Sequence, residues 1–199
     1  LNYKTNKTLP IKGKDMAIAE WPCIKENGRK GFADYALFLG EKLYGILEAK
    51  RLNVDIPTAL NVDSRIYAKG VEIFENAQFC DGSPFGEYKV PFLFSSNGRE
   101  YNKELPEKSG IWFLDARKES NLPKVLKGFY SPDDLKNLLE KDDDLANKKL
   151  EEESFEYLES KFGLGLRYYQ KDAIKSVEES LISGKRKVLL TMATGTGKT

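Results

Sequence analysis

Histidine is absent from this chain. That excludes Ser-His and Cys-His nucleophilic catalysis, His-ligated metal centres and every hydrolase or nuclease whose acid–base group is an imidazole. Cysteine is scarce: Cys23 and Cys80 supply neither a disulfide framework nor a zinc-ligand spacing, as expected for a reducing cytosol. Net charge is also small, since 32 Lys and Arg against 31 Asp and Glu leave +1. Bulk electrostatics therefore does not point to nucleic acid, and any such reading must rest on local groups. No stretch approaches the roughly 18 consecutive apolar residues of a membrane span, and the N-terminus lacks the apolar core of a signal peptide. A cytoplasmic protein is expected. Chemistry, if there is any, falls to carboxylates, lysines, tyrosines or a phosphate-binding loop.

What is present is the composition of a soluble globular protein, 40% hydrophobic and 32% charged over 199 residues, enough for one domain and part of a second. The chain begins at Leu1 rather than Met, from which we expect residues upstream of it. "FADYALFL" and "LYGILEAK" predict two covered strands joined across "GEK". Residues 55–79 predict a helix with Asp55 as its cap and Pro57 in its first turn. "YKVPFLFSS", the turn pair Asn97-Gly98 and "GIWFLDAR" predict further strands. "SPDDLKNLLEK" predicts a short helix capped by Ser131. The charged run "EKDDDLANKKLEEESFE" marks a domain boundary near residue 145, leaving 1–145 as one domain and 146–199 as the start of another. "LRYYQKDAIKSVEESLISGK" predicts an amphipathic helix stopped at Gly184, and "RKVLLTMA" a buried strand.

Asp34, Glu48 and Lys50 stand at the edges of two apolar runs, where charge loses hydration. A three-residue "GEK" loop would set Asp34 opposite Glu48, with Lys50 on the same face; a two-residue loop would break that cluster. Two close carboxylates repel unless a divalent cation lets both ionise as hard oxygen ligands. Mg²⁺ held there, with Lys50 steering or deprotonating a water, could hydrolyse a phosphodiester without histidine. An ordinary strand-end ion pair is the competing reading. Acid-x-Lys also occurs at Glu87–Lys89, but behind a Gly-Ser-Pro-containing loop.

At the other end, "ATGTGKT" (193–199) is read as a Walker A sequence. Backbone N–H groups around Gly195, Thr196 and Gly197 would cradle phosphates, Lys198 would reach the β and γ oxygens, and Thr199 would hold Mg²⁺.

These segments together resemble a known family. "FADYALFL…LYGILEAKR" is similar to the PD-(D/E)xK nuclease core of the restriction (R) subunit of type I restriction–modification enzymes. "VPFLFSSNGREY", "GFYSPDDL" and "LRYYQKDAI…VLLTMATGTGKT" resemble later segments of that subunit in the same order. The resemblance implies an α/β fold with a mixed central sheet flanked by helices, then the first elements of a P-loop motor. It implies Asp34 and Glu48 as Mg²⁺ ligands, Lys50 as the catalytic lysine, and Glu20 as a further acid. It implies ATP with Mg²⁺ in the intact subunit, and double-stranded DNA with modification and specificity subunits as partners. In the family's Gln-x-x-x-Tyr motif Tyr67 matches, but Asp63 stands where the Gln would be. Arg167 and Gln170 resemble the adenine-reading element of superfamily 2 helicases, with helix capping as the plain alternative. A nuclease-fold module that grips DNA or docks subunits without cutting, and a helicase–nuclease fusion from DNA repair, are the rival expectations.

Overall fold

The structure is a computed structural model that describes residues 8–141, 143–185 and 187–192. The chain divides into two compact units, one ending at Leu139 and the other running from Glu140.

The apolar runs of the first unit form one mixed sheet: β1 (Met16–Ile24), β2 (Lys30–Leu39), β3 (Lys42–Ala49), β4 (Gln78–Phe79), β5 (Phe92–Ser96), β6 (Ile111–Asp115) and β7 (Lys124–Leu126). The order is β1-β2-β3-β5-β6-β7, with β4 also pairing β3. β3 runs parallel to β4 and β5, and the remaining pairs are antiparallel. A parallel pair needs a crossover, and residues 50–91 supply it.

Both faces of the sheet are covered, which is why its central strands are apolar on both sides. One cluster gathers Ile18, Trp21, Cys23, Phe38, Leu43, Ile46 and Leu93 beneath Leu60, Ala68 and Val71 of the crossover. The other gathers Tyr44, Cys80, Phe92, Phe94 and Phe113 beneath Leu135. Leu135 belongs to α3 (Pro132–Glu140), whose start is capped as expected: Asp134 N–H donates to Ser131 Oγ at 3.1 Å, and Ser131 N–H donates to Asp134 Oδ2 at 3.0 Å.

The helix expected over 55–79 is shorter and of three kinds. It opens as α1 (Ile56–Ala59), with Thr58 N–H donating to the Asp55 cap at 2.9 Å. It widens into a π-helical segment (Leu60–Ser64) and closes as α2 (Arg65–Gly70). It ends there because the chain passes against β1: a Cβ at Gly70 would lie 1.8 Å from Ile24 O, and Val71 bridges Cys23. Asn97-Gly98 is not a tight hairpin either. Residues 97–110 intervene between β5 and β6, and buried Asn97 donates through Nδ2 to Leu52 O and Lys108 O at 3.2 and 3.1 Å.

In the second unit, α4 (Asp143–Glu152) and α5 (Glu156–Glu159) precede α6 (Tyr168–Ile182), which stops before Gly184 at φ +80°. The buried strand expected at "RKVLLTMA" is not found among its described residues, 187–192. Residues 187–192 form no strand and are largely exposed, Leu189 to 91%. Among the described residues no strand pairs with them, and a lone strand has neither ladder nor cover.

Candidate active site at the end of the β2–β3 hairpin

The β2–β3 loop has two residues, Gly40 and Glu41, not the three that the Asp34–Glu48 alignment demanded: Leu39 pairs with Lys42 and Phe38 with Leu43. A bulge corrects the parity. It inserts Tyr44, after which Leu37 pairs with Gly45, Ala36 with Ile46 and Tyr35 with Leu47. One step further in that register puts Asp34 level with Glu48. The core agrees, since Leu43 and Ile46, three residues apart, share one cluster while Tyr44 lies in the other. Glu48 and Lys50 thus follow Ile46 onto the face beneath the crossover.

The bonds within this site are direct. Asp34 Oδ2 accepts the Ala49 N–H at 2.8 Å, tying the carboxylate to the end of β3. Glu48 is 3% exposed; its Oε2 accepts from Lys50 Nζ at 2.8 Å, while its Oε1 is buried with no hydrogen-bond partner. Lys50 Nζ also meets Asp63 Oδ2 at 2.7 Å. The π-helical turn carries Asp63, so the residue standing where the family's Gln would be is an ion-pair partner of the lysine. Such turns recur at functional sites, where the added residue re-aims a side chain.

Burial raises the Glu48 carboxyl above its ordinary range and the charge on Asp34 adds to this, against the Lys50 ammonium, which lowers it. For Lys50, burial works downward, but the bonds to Asp63 and Glu48 outweigh it and hold the ammonium well above its usual value. Held between the two carboxylates, the Lys50 ammonium is a fixed positive charge.

The weaker candidates fall around this core. Glu20 lies between the pairs Ala19–Tyr35 and Trp21–Ala33, level with Asp34. Its φ of +52° is left-handed, uncommon for a non-glycine residue. That turn lets Ile18 and Trp21 enter the same core cluster although three residues apart. The Glu20 side chain is exposed, and among the described residues no group of three or more Asp, Glu, Cys or His is arranged to hold a metal. Tyr67 is half-buried against the core; Lys25 Nζ lies 5.2 Å from its ring centroid, and a Cβ at Gly31 would come within 3.2 Å of its ring. Glu87 and Lys89 do not cluster: Glu87 pairs with Lys69 at 2.9 Å and Lys89 Nζ donates to Val71 O. A cavity of about 360 Å³ lined by Arg65, Phe85, Glu87, Tyr88 and Arg117 contains none of Glu20, Asp34, Glu48, Lys50, Asp63 and Tyr67.

At the start of α6 the Arg167 N–H donates to Gln170 Oε1 at 3.0 Å, and Arg167 Nη1 donates to Tyr169 Oη at 3.0 Å. The Gln170 side chain thus caps the start of α6, while the Arg167 guanidinium makes no cap bond. The phosphate-loop residues Gly195, Thr196, Gly197, Lys198 and Thr199 lie outside the described residues.

Two residues that spacing did not single out complete the site. Ser95 on β5 pairs with Glu48, is 0% exposed, and has no partner for Oγ. Asn97 pins the chain after Lys50 through Leu52 O. A serine in an apolar strand and an Asn-Gly pair were the available signals, but only the β3–β5 pairing makes them part of the site.

The family model described as "Type I restriction enzyme EcoKI endonuclease subunit second domain" matches residues 1–139. The one described as "Type III restriction enzyme, res subunit" matches residues 163–199. Among curated proteins, the type I restriction enzyme EcoKI endonuclease subunit of Escherichia coli (strain K12) is 38% identical over 211 aligned residues, covering 96% of this chain and 18% of that protein. The chain thus spans less than a fifth of that relative's length. No solved structure matches. With 139 of its residues matched by the first family, this chain belongs to the endonuclease (R) subunits of type I restriction enzymes.

Proposed function

We propose that the first unit is a Mg²⁺-dependent endonuclease domain of the PD-(D/E)xK kind, which hydrolyses phosphodiester bonds of double-stranded DNA. The observation that carries this is the bulged register, which sets Asp34 beside a buried Glu48 whose Oε1 has no partner. A buried carboxylate oxygen without a donor is costly, and a hard cation is the ligand that suits it. Asp34 and Glu48 would hold Mg²⁺, which needs only one or two carboxylates and keeps waters for the rest of its shell. Bound there, it would supply a water of lowered pKa and positive charge against phosphate oxygens. Lys50, kept protonated by Asp63 and Glu48, orients and neutralises the phosphate as negative charge develops on it. Asp63 fixes the ammonium from the crossover side.

The match of residues 163–199 to the type III res subunit supports a second part of the reading. The intact subunit would be driven along DNA by an ATP- and Mg²⁺-dependent motor, in the cytoplasm, with modification and specificity subunits recognising the site. Arg167 and Gln170 would then meet adenine, and 195–199 the phosphates.

One observation favours a second reading, a non-cutting module that grips DNA or docks subunits: Lys50 is engaged by two carboxylates at once, so the cluster can close on itself as an ion-pair network. Mn²⁺ titration calorimetry on this chain, beside Asp34→Ala and Glu48→Ala of verified fold, separates the two. Saturable binding lost in both variants is expected. Identical behaviour of all three proteins would establish the ion-pair network instead. Cleavage by the full-length subunit that survives Lys50→Ala would remove the mechanism even if metal binds.

A further inference from the structure

Among the described residues, three buried side-chain polar atoms have no hydrogen-bond partner: Glu48 Oε1, Ser95 Oγ and Arg65 Nε. The first two belong to residues paired directly across the parallel β3–β5 ladder. Paired residues in neighbouring strands present their side chains to the same face. Leu93 and Ile46, two residues before each of them, confirm that face by sharing one core cluster. An acceptor without a donor and a donor without an acceptor therefore sit side by side, 3% and 0% exposed.

We propose that Ser95 is a positioning residue for Glu48: its hydroxyl, turned about χ1, donates to Oε1 and holds the carboxylate in one orientation. The inference rests on the metal reading above and extends it to a residue outside the Asp34, Glu48 and Lys50 set. The lone pairs allow it. A carboxylate has about four acceptor sites; Lys50 Nζ occupies one on Oε2, the Asp34 backbone also bonds to the carboxylate, and Ser95 takes one on Oε1, leaving a lone pair of Oε1 for a cation. The hydroxyl also satisfies its own donor, which the surrounding apolar layer of Leu93 and Ile46 cannot do. Ser95 thus selects the direction in which the remaining lone pair points. It touches neither phosphate nor water in this role; it acts through Glu48.

The test is Mn²⁺ titration of the wild-type chain, Ser95→Ala and Ser95→Cys, each with a urea melt in the absence of metal. Outer-shell partners of metal ligands typically change affinity by about 10- to 100-fold. We expect Ser95→Ala to bind on the order of tenfold more weakly, with a metal-free urea midpoint below that of wild type, because the buried Glu48 Oε1 loses its donor. Ser95→Cys keeps the volume with a weaker donor and should fall between. In the full-length subunit, Ser95→Ala should lose cleavage rate at limiting Mg²⁺ and regain it at high Mg²⁺, with KM for DNA unchanged. Equal Mn²⁺ affinity in wild type and Ser95→Ala overturns the proposal and leaves the metal reading intact. If Ser95→Ala fails to fold, wild-type affinity in Ser95→Cys overturns it in the same way. A wild-type chain that takes up no Mn²⁺ overturns the metal reading and this proposal with it.

Discussion

Glu48 carries two opposing demands. Its burial favours the protonated form, whereas the bond to Lys50 and the proposed metal ligation require the carboxylate. Removing the ammonium while keeping its stem, as in Lys50→Met, leaves the carboxylate buried with its nearest cation gone. Hydrogen bonds to charged groups and broken buried pairs bracket the expected cost between about 1.5 and 5 kcal/mol near neutral pH, toward the lower end because Lys50 is partly exposed. The sign of its pH dependence follows from the direction of the shift. An acid whose folded pKa lies above its unfolded value contributes stability that is complete below the unfolded pKa and lost as pH rises through the folded one. Glu48 is already raised from 4.5, and losing Lys50 raises it further. The deficit of Lys50→Met against wild type should therefore be large near neutrality and shrink as pH falls toward 4.5. Urea melts across that range measure it. A deficit that does not change with pH would mean that Glu48 is not the group left uncompensated. Asp34, Glu48 and Lys50 were legible in the sequence because charge at the edge of an apolar run has few inexpensive explanations. The role of Asp63 was not, because nothing in "NVDSRIY" announces a π-helical turn.

At the scale of the element, apolar periodicity identified β2, β3, β5 and β6, since strands covered on both faces leave uninterrupted apolar runs. Loop parity was a poorer guide. "GEK" was expected to form a three-residue loop, and the chain reached the same register through a two-residue loop and a bulge at Tyr44. Sequence alone does not separate these two solutions, because one adds a residue to the loop and the other to β3, with the same register beyond it. The end of the crossover helix was hidden for another reason: residues 71–79 contain nothing that forbids a helix outright, and what stops it is a backbone 46 residues earlier in the chain. This has a measurable consequence. A methyl at Gly70 would stand 1.8 Å from Ile24 O, and relieving that contact means shifting either α2 or β1. Gly70→Ala should cost about 1–3 kcal/mol, the range for overpacked sites. Gly128→Ala, where an added Cβ meets nothing within 4 Å and φ is not left-handed, should be neutral or slightly stabilising. Paired urea melts check both. Equal stability of the two variants would show that β1 and α2 do not pack at the separation seen here.

For the molecule as a whole, the first unit was legible because its sheet, cover and caps lie within one continuous segment. The strand expected at 186–193 depends on partner strands that the described residues do not include. The first unit also carries its own reporter of cooperativity. Cys23 lies in the core cluster on one face of the sheet and Cys80 in the cluster on the other. Both are free and buried, and burial pushes each thiol from 9.0 up to about 12. Thiolates are the reactive form, so neither cysteine should react with a disulfide reagent in the folded state near neutral pH. Labelling must wait for opening. If the two layers share one cooperative unit, both thiols will label at one rate, and that rate will fall as stabilising co-solvent is added. A thiol that labels well ahead of the other would show that its face of the sheet opens separately. The same shifts set an alkaline limit. Raised folded-state pKa values contribute stability that is complete below pH 9.0 and lost as pH climbs toward about 12. Stability should accordingly decline over that interval in wild type and decline less in Cys23→Ala/Cys80→Ala, once both are compared with their own values below pH 9.0. Parallel decline in the two proteins would assign alkaline unfolding to groups other than these thiols.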